Sequence, residues 1–532
     1  MRNLYLPGRS TVHAPNGMAA TSHPLATTAA LDILRSGGNA MDAAIAAVAV
    51  QCVVEPQSTG IGGDCFCLYS PKGKGVIAFN GSGTAPAAAT VDWYLENGIQ
   101  KIEQHSPHAV TTPGAIDAWS QLLADHGTMS LGDLLQPAIG YAADGAPVNH
   151  RQSHDWELSV NLLSNDPASA AQFLVDGKAP ELGTRVKLPL LAKTLEHIAD
   201  KGREGFYSGW VADDIVSHLQ NLGGLHTHKD FEDYSGKYVT PISTNYRGYD
   251  VYECPPNGQG IVALAALNIL SGFDMQNHDA VSVDRLHLEI EAIRLAYRDR
   301  NTVLGDPDFG DIPVVEWLSE DHAAAERAHI SLDRRMPDIP PSRLPAHKDT
   351  VYLTVVDKDR NAVSFINTLF YMFGSGLTAP KSGVLLQNRG MGFVIDPGHL
   401  NCIAPNKRPL HTIIPGMLVK DGKTQMPFGV MGGPYQACGH VHLLTNLIDY
   451  DMDLQEALDC TRVFPDVDDP KGRVQVEPGL PAEVLRGLQG RGHETYVPSR
   501  PIGGAQAIWI DWVNDVLRGA SEPRKDGMAA GF

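Results

Sequence analysis

Apolar and polar positions alternate with a two-residue period from Val351 onward. Val351, Leu353 and Val355 fall on one face, and Tyr352, Thr354 and Val356 on the other. The pattern predicts a strand, a turn over Asp357–Asn361 and a second strand reaching Phe365. Near the start, "SHPLATTAALDILRSGGNA" predicts a helix with Pro24 in its first turn and Gly37-Gly38 as its stop. An Ala-rich helix follows from Asn39 to Val53. It is apolar nearly all round, so it is expected to be buried. "STGIGGDCFCLYS" reads as a Gly-rich turn feeding a strand at Asp64–Tyr69, and "GVIAFNG" as another strand. Residues 130 to 301 look mostly helical, most clearly in "LHLEIEAIRLAYRDRN". Strands return at "YLTVVD", "AVSFINTLF", "GVLLQNR" and "GMLVKDG". "QACGHVHLLTNLIDY" and "DLQEALDCTRVF" then read as helices, and "VQVE" and "AQAIWID" as strands. There is no internal repeat. This order predicts a layered α/β fold, with sheets covered by helices.

The one linker-like stretch is Ser331 to Asp349, with Pro337, Pro340, Pro341 and Pro345. It is a poor lead-in for a buried strand, which draws attention to Thr350. A threonine hydroxyl is a weak nucleophile unless a base sits beside it. If Thr350 becomes the first residue of a chain, its own α-amine, with a pKa of about 7.7–8.0, supplies that base. Its hydroxyl would attack the Asp349 carbonyl, form an ester, and let water release the new terminus. An ordinary strand threonine is the competing reading, and spacing does not decide between them.

Other motifs carry less. "STGIGGDC" lacks the third glycine of a dinucleotide fingerprint at Cys65 and leads into a strand instead of a helix. His226 and His228 have no partner at metal spacing and read as solvated loop histidines. Glycines flank Ser375 directly, so there is no nucleophile elbow. "RRMPDIPPSR" reads as a plain linker in preference to a Pro-rich ligand for a partner module.

At 532 residues the chain needs one large or two intimately joined domains. Its 42 basic against 61 acidic residues, a net charge of −19, disfavours nucleic acid and anionic membranes as partners. The seven cysteines are scattered and odd in number, which points to free thiols in a reducing compartment. No signal-peptide core is evident at the N-terminus, and no apolar run reaches the ~20 residues of a membrane span. A cytoplasmic location is expected.

"HKDTVYLTVVDKDRNAVS" resembles the self-processing site of the γ-glutamyltranspeptidase family. "ATSHPLATTAALDILRSGGNAMDAAIAAVAV", "STGIGGDCF" and "AVTTPGAIDAW" are similar to its large subunit. "FGSGL", "GVLLQN", "PNKRPLHTIIP", "MGGP" and "GGAQAIW" are similar to its small subunit. The resemblance implies an N-terminal-nucleophile hydrolase, an αββα sandwich of two stacked antiparallel sheets between helix layers. It implies autocleavage between Asp349 and Thr350. Residues 1–349, with a flexible tail over 331–349, would form the large subunit, and residues 350–532 the small one. The two would interleave as one globular heterodimer; a dimer of such heterodimers is left open. Thr350 would be the nucleophile and Thr368 the second threonine that holds it. Gly432 and Gly433 would supply the oxyanion hole. No metal or organic cofactor is implied.

The substrate-binding positions depart from the family. Ser82 stands nearest the expected arginine, and Phe370 replaces an asparagine. Arg389 replaces a carboxylate or amide, Gly392 an aspartate, and His411-Thr412 a serine pair. An ammonium pocket needs carboxylates. An arginine instead suits a carboxylate, which it binds through two parallel hydrogen bonds. The pattern therefore resembles the branch containing oxamate amidohydrolase, which cleaves oxamate to oxalate and ammonia. His411 is expected to contact the substrate carboxylate, to orient water or to be structural. A γ-glutamyl hydrolase or transferase acting on glutathione-like compounds remains the alternative, and an unprocessed binding protein the second alternative.

Overall fold

Asn39 closes a capping box with Asp42: its side chain accepts the Met41 and Asp42 amides while Asp42 accepts the Asn39 amide. This starts α2 (Ala40–Val54), which follows α1 (Pro24–Arg35). Every residue of α2 is buried, as its all-round apolar sequence requires. The computed structural model describes residues 5, 8–336, 351–467, 469 and 471–532. Pro337 to Thr350, which include the expected cleavage site and nucleophile, lie outside the described residues.

Two seven-stranded antiparallel sheets form the centre. In chain order their strands are β1 (Val12–Ala14), β2 (Met18–Thr21), β3 (Asp64–Ser70), β4 (Ile77–Gly81), β5 (Lys237–Val239), β6 (Ile242–Tyr246) and β7 (Tyr249–Glu253). They continue with β8 (Val351–Val356), β9 (Ala362–Thr368), β10 (Gly416–Lys420), β11 (Lys423–Met431), β12 (Gly504–Asp511), β13 (Val516–Ser521) and β14 (Met528–Gly531). One sheet runs β14-β2-β8-β9-β3-β4-β5 and the other β1-β13-β12-β11-β10-β7-β6. Both sheets combine strands from before residue 337 with strands from after residue 350.

The strand period is realised as two buried faces. Leu353 and Val355 pack with α1 and α2 on the outside of one sheet. Tyr352 and Val356 join Phe66, Met417 and Ile508 between the sheets. On the far side, Val251, Phe428 and Val430 pack under α3 (Gly260–Ser271), α4 (Val283–Val303) and α5 (Tyr435–Ile448). The result is the expected four-layer sandwich of helices, two stacked antiparallel sheets and helices.

Three local expectations need correction. "GVLLQNR" is not a strand: Leu385 and Leu386 make only isolated bridges, and Arg389–Gly392 forms a 3-10 turn. "DLQEALDCTRVF" is helical only over Leu454–Asp459, here α6. Arg462 then turns inward to Glu522 (2.5 Å), and Val463–Pro465 pairs with Val474–Val476. Strands β5 to β7 also interrupt the helical middle. The linker's first residues are docked: the Met336 amide donates to Glu291 (2.7 Å) and the Arg335 amide to the Arg491 carbonyl (2.7 Å).

Candidate active site

β8 and β9 pair so that Val351 lies opposite Asn367, the residue before Thr368. Thr368 ends β9 opposite Asp64 and is fully buried. Its Oγ1 accepts the Phe370 amide (2.8 Å). Asn367 is fixed from behind by Trp119 Nε1 (3.3 Å), Thr59 Oγ1 (2.9 Å) and the Gly60 carbonyl (3.1 Å). A Cβ on Gly63 would come within 2.0 Å of the Thr368 carbonyl. The "STGIGG" turn thus backs β9 closely, and glycine is needed for that approach.

The opposite sheet brings the glycine pair to the same end of the sandwich. Tyr352 Oη meets Ser364 Oγ (2.9 Å), and Ser364 Oγ donates to the Phe428 carbonyl across the sheets (3.2 Å). β11 therefore runs beside β8 and β9 and delivers Gly432-Gly433 just beyond its end. Both glycines have positive φ, +130° and +58°. They open the 14-residue helix α5, whose Tyr435 and Gln436 amides donate back to their carbonyls. A helix N-terminus beside two glycine amides favours developing negative charge. Gln259 holds the segment, its Nε2 donating to the carbonyls of Gly433 (3.1 Å) and Thr412 (3.0 Å).

Arg389 is completely buried. Its guanidinium lies 3.3 Å from the centroid of the Phe370 ring. It donates to the Leu410 carbonyl (3.2 Å) and to Thr412 Oγ1 (3.0 Å), and its Nε has no partner among the described residues. Burial pulls its pKa down to about 9, only partly offset by Asp64, so it stays charged at neutral pH. A cavity of about 20 Å³, room for one water, is bounded by Arg389, Phe370, Thr412, Arg300 and Pro434. Pro434 links it to the glycine pair. Among the described residues no acidic side chain lines it. On the other side of Gly432, Arg151, Arg500 and Lys525 line a second small cavity.

His411 is buried on Phe66 and does not line the Arg389 cavity. The Ile413 amide donates to Nδ1 (3.3 Å), so Nε2 carries the proton and donates to Asp64 Oδ2 (2.9 Å). Burial, reinforced by Arg389, pulls the ring down to about 4 against the pull of Asp64. Asp64 Oδ1 also accepts the Gly83 amide (2.8 Å) and Gln387 Nε2 (2.7 Å).

Thr368, Phe370, Arg389, Thr412 and the glycine pair thus converge, while Ser82 is tied to Asn257 (3.1 Å) away from the cavity lining. Arg300 was missed by sequence reasoning; its signal was a basic residue in the last turn of a long helix. Of the paired histidines, His228 is exposed, but His226 is buried and not solvated. Its ring packs near Phe231, and burial lowers its pKa to about 4.

The sandwich is the fold of an N-terminal-nucleophile hydrolase. Residues 26–532 match the Gamma-glutamyltranspeptidase family model, and the chain belongs to that family. It is similar to the Glutathione hydrolase-like YwrD proenzyme of Bacillus subtilis, at 39% identity over 97% of this chain and 98% of the relative. It is similar to the Oxamate amidohydrolase proenzyme of Klebsiella pneumoniae, at 33% identity over 97% and 98%. The crystal structure of cephalosporin acylase from Bacillus halodurans superposes with a TM-score of 0.91 at 39% identity, covering 100% of this chain and 98% of that one. The chain is a self-processing amidohydrolase of this family.

Proposed function

We propose that the enzyme hydrolyses the amide of a small substrate bearing a carboxylate next to the scissile carbonyl, oxamate being the simplest case, to the acid and ammonia. The observation that carries this reading is Arg389: a fully buried guanidinium on a one-water cavity, with an unused Nε–H and no ion pair among the described residues. A buried cation that Asp64 offsets only in part is costly, and a bound carboxylate removes that cost. A small cavity without acidic lining offers nothing to a glutamyl α-ammonium. Phe370 fills the position where the family carries an asparagine, and Thr412 orients Arg389.

In this reading the chain breaks between Asp349 and Thr350. Fragments 1–349 and 350–532 stay associated, because each sheet hydrogen-bonds strands from both. The Thr350 amine takes the hydroxyl proton, and the oxygen attacks the amide carbonyl. The oxyanion is stabilised by amides at Gly432-Gly433, the tetrahedral intermediate expels ammonia with a proton, and water hydrolyses the ester. Thr368 positions the nucleophile. Seven free cysteines favour a reducing, cytoplasmic setting.

A γ-glutamyl hydrolase is the second reading, favoured by the similarity to the glutathione hydrolase-like relative. A panel of oxamate, other short dicarboxylic monoamides, glutathione and a γ-glutamyl anilide separates the two. Turnover of oxamate with little of the γ-glutamyl compounds is expected. Strong turnover of the anilide with none of the short monoamides would overturn the proposal.

A further inference from the structure

A second cluster of polar groups lies outside this site, where the last turns of α4 meet the helix Glu320–Arg327. Ser319 caps that helix, its Oγ accepting the His322 amide (3.2 Å). His322 and Glu326, four residues apart, share the helix face that meets α4. His322 Nε2 lies 3.1 Å from Asp299 Oδ2 of α4. Arg298 donates to Asp299 Oδ1 (2.7 Å) and to Glu326 Oε1 (2.8 Å). That leaves Asp299 Oδ2 to His322, and Glu326 Oε2 with no partner among the described residues. Glu326 is only 8% exposed, so an unused carboxylate oxygen there is costly. One ligand atom from each of Asp299, His322 and Glu326 falls within 4.8 Å of the other two.

We propose that Asp299, His322 and Glu326 form a binding site for a divalent transition-metal ion, zinc in the first place. One imidazole nitrogen and two carboxylate oxygens make a zinc donor set, whereas magnesium and calcium take oxygen ligands. Tetrahedral zinc, with bonds of about 2.1 Å, holds its ligand atoms about 3.4 Å apart. The 3.1 Å between His322 Nε2 and Asp299 Oδ2 is already close to that spacing. Nε2 offers its lone pair to the ion, so the ring proton sits on Nδ1 in the bound form. Two carboxylates against Arg298 leave the cluster net negative before the ion arrives. Arg298 orients both carboxylates through the oxygens that the ion does not use, as outer hydrogen-bond partners do in metal sites. Asp299 and His322 are partly exposed, so a hydrated ion reaches the site and water completes its coordination. Asp299 precedes Arg300, which bounds the Arg389 cavity. The ion therefore ties the turn of α4 that carries Arg300 to the helix Glu320–Arg327, and its role there is structural.

Full-length protein freed of metal by chelator dialysis is titrated with zinc chloride by calorimetry. In parallel, crystals grown with one equivalent of zinc are measured on both sides of the zinc absorption edge. One zinc per chain is expected, with an anomalous peak between Asp299, His322 and Glu326. His322→Gln and Glu326→Gln should each weaken binding by ~10²-fold, since even an outer partner of a metal ligand is worth ~10–10²-fold. A ~tenfold excess of magnesium should leave the zinc in place, because the imidazole disfavours it. The diffraction result needs only wild-type protein, so it decides the matter even if a variant fails to fold. No anomalous peak at these three side chains, displacement of zinc by magnesium, or unchanged affinity in folded His322→Gln would overturn the proposal.

Discussion

Val351 pairs with Asn367, so β9 presents Thr368 at the end of the ladder into which residue 350 leads. In the proposed mechanism this threonine hydroxyl, which accepts the Phe370 amide, holds the nucleophile's amine. Thr368→Val is expected to slow both self-cleavage and turnover, by ~10²-fold or more, with little change in KM. Denaturing electrophoresis over time and steady-state kinetics on the processed fraction check both effects.

Arg389 should govern affinity for the anionic acyl group. Arg389→Met is expected to lower kcat/KM for oxamate by ~10²–10³-fold, the loss of two charge-assisted hydrogen bonds. It should not lower the melting temperature, because it removes from beside an aromatic ring a buried cation that Asp64 offsets only in part. Arg389→Lys keeps charge without the fork and should recover little. Calorimetry alongside kinetics distinguishes a binding role from a structural one.

Asp64 ties three donors from separate segments: the Gly83 amide, Gln387 and His411. Asp64→Ala leaves all three without an acceptor and is expected to destabilise the fold by ~3–5 kcal/mol. Urea unfolding of the processed protein measures this.

Acid stability follows from His411. Its folded pKa, about 4, lies below the unfolded value of about 6.5. Between these values the unfolded chain binds more protons, so stability rises with pH across the window and is lost as pH falls through it. The group contributes up to about 3 kcal/mol to that slope. His411→Gln should flatten the unfolding free energy between pH values of about 4 and 6.5, measured by denaturant titration.

Gly432 has a φ of +130°, and an added Cβ would lie 3.0 Å from Gly503 Cα. Gly432→Ala is expected to displace the amides at the start of α5 and to lower kcat by ~10²-fold, with KM changing far less. Pre-steady-state acylation rates check that the loss is in the chemical step.

Local patterns carried most of the fold. The two-residue period at Val351–Val356 and the apolar surface of α2 specify burial directly, because each needs only its own residues. "GVLLQNR" misled for the same reason: its apolar residues are buried by tertiary contact with Gly62 and Leu377 and need no ladder. Thr368, Phe370, Arg389, Thr412 and the glycine pair were singled out by comparison with family motifs. Arg300, on α4, and the Asp64–His411 bond reach the site only when segments distant in sequence are brought together, so motif spacing does not announce their place in it.

Intact-mass and N-terminal analysis of freshly purified, active protein, next to Thr350→Ala, tests the nucleophile most directly. Two tightly associated fragments are expected, the smaller beginning with Thr350, and a single inert 532-residue chain for the variant. Full amide turnover by an uncut chain, or by the alanine variant, would contradict it.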